Sequence, residues 1–181
     1  THSSPTGFEA ETLDTITQFY SDTAGRQRDL LQFAQQCRTE KRLEVFPNLL
    51  AFLSEKTLKL GQEIEQEVSG FITWLEREIG CKINDLHHKT KIQRYYLPPE
   101  GESASNRLLQ VLKQNPLQID PSARSFQERL ERELDASLSQ LSEWTQQSKI
   151  NQDLIDQIIY LFYNLTPYEV DLIQTSDTTP I

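Results

Sequence analysis

The chain has 181 residues, 36% of them apolar and 25% charged, with 18 Lys+Arg against 27 Asp+Glu and a net charge of −9. No stretch approaches the ~20 consecutive apolar residues of a membrane-spanning helix, and two cysteines are too few for a disulfide scaffold. Leu, Ile, Phe, Tyr and Trp recur at a helical period, which excludes a collagen-like or wholly disordered chain.

Thr1–Gly7 is polar and has no apolar signal-peptide core, so it reads as a disordered lead-in, and the chain is expected to be cytoplasmic. The first residue is Thr and the sequence contains no Met, which points to a piece of a longer polypeptide. Phe8, Leu13, Ile16 and Phe19/Tyr20 open an amphipathic helix. Asp22-Thr23-Ala24-Gly25 either interrupts or bends it. Leu30, Leu31, Phe33, Ala34 and Cys37 continue the apolar face to an end near Arg38–Arg42. Pro47 suits the first turn of the next helix. From about residue 48 to 79 the apolar positions step by threes and fours with no further Pro, and Gly80 stands where a left-handed cap belongs.

Residues 81–101 break this pattern and read as a basic, aromatic connector with at most a short helix, closed by Pro98-Pro99-Glu100-Gly101. Ser103 is placed to cap a short helix that ends before Asn115-Pro116. Asp120-Pro121 predicts the start of a second long helix, to about residue 147, with Phe126, Leu130, Leu134, Leu138, Leu141 and Trp144 on one side. Its mixed-charge face, Arg124 to Asp135, reads as solvated and held by ion pairs. A nearly buried helix follows over 152–163, Asn164 is suited to a left-handed cap, and Thr166-Pro167-Tyr168-Glu169 is a capping box opening a last short helix. Residues 175–181 read as a frayed tail. No segment alternates at period two. The expected fold is therefore all-α, a helical bundle forming a single domain over 8–174, with two long amphipathic helices (about 48–79 and 121–147) and several shorter ones.

The charge is uneven. Residues 1–81 carry a net −5 and residues 100–181 a net −7, whereas residues 82–99 carry Lys82, Lys89, Lys91 and Arg94 against Asp85 alone. The stretch Asp85-Leu86-His87-His88-Lys89-Thr90-Lys91-Ile92-Gln93-Arg94-Tyr95-Tyr96 combines cations, a hydroxyl and aromatics, a composition suited to phosphates and sugar edges. His87, His88, Lys89, Thr90, Lys91 and Arg94 are the candidate nucleic-acid contacts. The competing reading is a connector pinned by Leu86, Ile92, Tyr95 and Leu97, with the lysines as solvent decoration. Adjacent histidines rarely ligate one metal together, and no acid or Cys cluster completes a site around His87-His88. The carboxylates at Glu63, Glu65, Glu67 and at Glu131, Glu133, Asp135 alternate around their helices and do not converge. There is no Gly-x-Ser-x-Gly elbow and no Gly-rich phosphate cradle, so no catalytic, cofactor-binding or metal-ligating residue is assigned. Cys37 and Cys81 read as free, partly buried thiols. Asn164-Leu165-Thr166 matches a glycosylation sequon that carries little weight without a secretory signal.

Several stretches taken in order resemble one family. They are Trp74–Gly80, Ile83–Leu86, Lys89–Ile92, Phe126–Glu131 and, above all, Leu154-Ile155-Asp156-Gln157-Ile158-Ile159-Tyr160-Leu161-Phe162-Tyr163-Asn164-Leu165-Thr166-Pro167-Tyr168-Glu169-Val170. The last is similar to the C-terminal ending of fused, single-chain type II restriction-modification enzymes, which join an adenine-specific DNA methyltransferase to an endonuclease. Asn164 stands where that family usually has Gly, Phe162 where Leu is common, and residues 1–43 lie outside the likeness. The resemblance implies a noncatalytic helical segment that supports the DNA target-recognition region. S-adenosylmethionine and the Asn-Pro-Pro-aromatic loop would belong to the parent's upstream core; Leu97-Pro98-Pro99-Glu100 lacks both the leading amide and the trailing aromatic. The implied partners are the rest of the parent polypeptide and duplex DNA, with no membrane. The alternative is a stand-alone helical protein–protein interaction module, which predicts an exposed apolar stripe on 48–79 and self-association. A third reading, a helical enzyme or metal protein, requires a convergent cluster of acids and histidines.

Overall fold

A computed structural model describes the backbone of residues 7–176 and the side chains of residues 12–175. Of the lead-in expected over 1–7, residues 1–6 lie outside the described residues, as do the last five of the tail, and Gly7 belongs to the first helix. Over those described, the chain is all-α and contains no strand. In order come α1 (Gly7–Ser21), α2 (Arg26–Thr39), α3 (Val45–Ile79), a 3-10 turn (Ile83–Asp85), α4 (Lys89–Gln93), α5 (Ala104–Lys113), α6 (Arg124–Tyr163) and α7 (Pro167–Ser176).

The helix boundaries follow from a few side chains. Between α1 and α2 the Asp22 carboxylate accepts the backbone N–H of Ala24 and Gly25 at 3.1 and 3.2 Å, a local turn that competes with helix continuation. The chain is therefore interrupted there. Pro47 lies in the first turn of α3, where a missing N–H leaves no helical bond unmade. Gly80 closes α3 at φ +76°. A side chain at Gly80 would also meet Gln118 Oε1 at 3.2 Å. Ser103 precedes α5 without a side-chain cap; its hydroxyl lies 3.0 Å from that of Ser105.

The second long helix differs from the sequence expectation at both ends. It begins at Arg124 rather than about residue 121, because Asp120-Pro121 forms a turn: Asp120 Oδ1 accepts Ser122 N at 2.8 Å and Asp120 O accepts Ala123 N at 3.0 Å. It then runs 40 residues to Tyr163 and absorbs the helix expected separately over 152–163. The mostly polar run from Gln146 to Asn151 contains neither Gly nor Pro, so nothing in the backbone breaks it. Asn151 is fully buried, and its amide and the Tyr20 hydroxyl exchange hydrogen bonds at 3.0 and 3.3 Å. That pairing lets a polar residue occupy the interior of the helix. α7 extends to Ser176, through the first residues of the expected tail.

Where one domain over 8–174 is expected, the contacts divide the chain into two compact units. One comprises residues up to Lys59 together with those from Ser148 onward; the other is Leu60–Gln147. The first has a core of Ile16, Leu30, Ala34, Cys37, Phe46, Leu49, Leu53, Leu154 and Ile158. The second packs Phe71, Leu75, Ile79, Ile83, Ile92, Tyr95, Leu108, Leu112, Phe126, Leu130 and Leu134. Each fully buried Leu, Ile or Phe contributes about 1.5–3 kcal/mol. On the polar face of α6, Arg124 and Glu128 pair at 2.6 Å, Arg132 and Glu133 at 3.1 Å, and Arg129 reaches Glu78 of α3 at 2.9 Å. Both cysteines are free, Cys37 buried and Cys81 half-buried.

Candidate nucleic-acid interface

The connector after α3 lies wholly within the second unit. Glu76, in the last turn of α3, ties its beginning: one carboxylate oxygen accepts Lys82 Nζ at 2.7 Å and the other accepts Ile83 N at 3.0 Å. The Lys82 hydrogen bond, and then the Ile83 N–H, hold the Glu76 carboxyl below its ordinary range. Ile83 is buried at the start of the 3-10 turn.

Next comes a clamp. Asn115, just past α5, is 8% exposed. Its Oδ1 accepts His87 N at 2.7 Å, while its Nδ2 donates to His87 O at 3.3 Å and to Val111 O at 2.8 Å. The side chain thus satisfies both backbone groups of His87, as a paired strand would. His88 then adopts a left-handed conformation at φ 59°, and its carbonyl accepts Lys91 N at 2.8 Å, opening the single turn α4. Gln93 Nε2 donates to Asn84 Oδ1 at 3.2 Å.

Beneath this turn, Ile92 and Tyr95 are buried at 0% and 1% exposure. The Tyr95 ring stacks at 4.1 Å from that of Phe71, and its hydroxyl lies 2.6 Å from Ser137 Oγ on α6. Burial pushes the Tyr95 phenol up to about 12, only partly opposed by the Ser137 hydrogen bond. Arg107 on α5 donates to Leu97 O at 3.0 Å and fixes the far end.

The six candidate contacts, His87, His88, Lys89, Thr90, Lys91 and Arg94, are all exposed on this one pinned stretch. Of the residues expected to anchor it, Ile92 and Tyr95 are buried and Leu86 half-buried, but Leu97 is 58% exposed and contributes only its carbonyl. The arrangement presents three cations, a hydroxyl and two imidazoles from a stretch whose His87 backbone groups are held by Asn115. Chemically it is fitted to contact anionic oxygens, as phosphate-positioning side chains do. No cluster of three or more His, Cys, Asp or Glu that could hold a metal occurs among the described residues.

The anchors were only partly visible in the sequence. Asn115 reads there as a helix stop before Pro116, and its role in holding His87 depends on a separation of 28 residues that spacing does not reveal. Glu76, Arg107 and Ser137 look like ordinary polar-face residues.

The C-terminal ending, residues 154–170, lies in the first unit. α6 runs through Asp156 to Tyr163, Asn164 takes the left-handed cap at φ 58°, and Leu165 N donates to Tyr160 O at 3.0 Å. The capping box is formed: Thr166 N and Oγ1 each donate to Glu169 Oε2 at 2.7 Å, and Glu169 N donates to Thr166 Oγ1 at 3.4 Å. These bonds hold the Glu169 carboxyl below its ordinary range. Phe162, Tyr163, Tyr168, Leu172 and Ile173 remain 37–72% exposed.

No protein-family model, curated protein or solved structure matches the chain.

Proposed function

We propose that the chain is a noncatalytic helical C-terminal domain of a restriction-modification DNA methyltransferase/endonuclease, supporting the target-recognition region and touching the duplex backbone through His87–Arg94. What supports the reading is the connector: a net-positive stretch of an acidic chain is exposed, while Ile92, Tyr95 and Asn115 immobilise the backbone beneath it. A preorganised turn loses less entropy when it meets phosphate. S-adenosylmethionine and the catalytic loop belong, on this reading, to the upstream part of a cytoplasmic parent enzyme. No helix among the described residues is long and apolar enough to cross a membrane.

The test is duplex binding by fluorescence anisotropy at several salt concentrations. Binding is expected to be weak, with a log–log salt slope of about −3 for three cations. Lys89→Glu/Lys91→Glu should abolish it, and equal binding by the double variant would defeat the assignment. Sequencing the gene immediately upstream of Thr1 tests the parentage: a methyltransferase core is expected there.

A stand-alone protein-interaction module is the second reading. The apolar stripe it expects on 48–79 is largely inward, Leu58 being the strongly exposed large apolar residue of α3. The observation that favours it lies instead at Phe162–Ile173, where five large apolar side chains meet solvent. Light scattering separates the two readings, since self-association through that segment would be lost in Tyr163→Ser/Tyr168→Ser.

A further inference from the structure

The first unit contains a hollow of about 310 Å³ between α2 and the end of α6. Its apolar wall is Leu31, Leu161 and Leu165 with Tyr160; its polar lining includes Gln157 and a single charged residue, Arg38. All six are half-buried. Arg38 makes no ion pair with a carboxylate among the described residues, whereas its neighbour Arg42 lies 3.6 Å from Glu40.

We propose that this hollow binds a small monoanionic carboxylate with a compact apolar body. The volume is at the lower end of ligand sites and suits roughly ten to fifteen non-hydrogen atoms. One guanidinium matches one carboxylate in a two-point fork, and a dianionic phosphate would call for a second cation that the lining does not offer. The three leucines and the Tyr160 ring take the hydrocarbon part, and the Gln157 amide and Tyr160 hydroxyl supply further hydrogen-bonding groups. The proposal is independent of the DNA reading, and its test uses no nucleic acid.

The experiment is a titration of the whole chain with octanoate and with octan-1-ol, its neutral counterpart, followed by the methyl NMR signals of Leu31, Leu161 and Leu165. Octanoate should saturate these signals with a dissociation constant of about a millimolar, and octan-1-ol should bind roughly tenfold more weakly. Arg38→Gln should bring the two ligands to equal affinity with an unchanged melting temperature. Arg42→Gln, which removes a cation outside the hollow, should leave octanoate binding as it was. The proposal fails if the alcohol binds as tightly as the acid, if Arg42→Gln weakens octanoate as much as Arg38→Gln does, or if no saturable shift appears at the three leucines.

Discussion

The connector over 82–97 and the ending over 154–173 dispose of their side chains in opposite ways. In the connector, Ile83, Ile92 and Tyr95 go into the core and the cations stay in water, so a loop of little regular structure is anchored through its side chains. In the ending, Leu154 and Ile158 are buried, but over the last turn of α6 and along α7 the large apolar residues meet solvent. Regular hydrogen bonding and tight packing therefore do not coincide in this molecule. The irregular segment is anchored through side chains, while α7 is stabilised chiefly at its start, by the capping box.

Removing the deepest anchor should widen that contrast most. Tyr95→Ala is expected to cost about 3–5 kcal/mol, because it deletes a buried ring and orphans the Ser137 hydroxyl. Tyr168→Ala, 72% exposed at the start of α7, should stay within about 0.5 kcal/mol. Urea denaturation measures both, and similar losses would contradict the packing described. Asn115→Leu should cost about 1–3 kcal/mol, since it leaves both backbone groups of His87 without their partner. It should also accelerate hydrogen exchange at the His87 amide while leaving amides near Tyr163 unchanged.

Alkaline titration probes the same ring without a cavity. Tyr95 is raised from the ordinary 10 to about 12, so its share of the stability is intact below pH 10. The unfolded chain ionises first above that point, and the contribution is lost as pH rises through about 12. Tyr95→Phe should flatten this decline in a series of melts between pH 9 and pH 12. The smallest effect expected is at the capping box: Thr166→Ala should cost about 0.5–1 kcal/mol, confined to α7 and visible as faster amide exchange there.

The all-α class and most helix ends were legible because they depend on local signals. Gly80, Asn164 and the Thr166–Glu169 box act within one turn of themselves, and each is found in the role its neighbours imply. The start and the length of α6 depart from the local pattern for the same reason in reverse. Asp120-Pro121 is a valid helix opener and an equally valid turn, and the fate of Gln146–Asn151 depends on Tyr20, some 131 residues from Asn151. At the candidate interface the charged residues are plain from composition, whereas the groups that fix them, Asn115, Glu76 and Ser137, come from separate parts of the chain. A linear pattern shows what a loop carries and is silent on what grips it.

The pairing of buried Asn151 with half-buried Tyr20 has a further consequence. Hydrocarbon contacts along two helices tolerate sliding by a turn, since one leucine replaces another. The buried Asn151 amide does not, because a slipped arrangement takes it away from the Tyr20 hydroxyl at about 1–3 kcal/mol. The two groups act as an index notch, admitting a single seating of α1 against α6 where greasy surfaces alone would accept several.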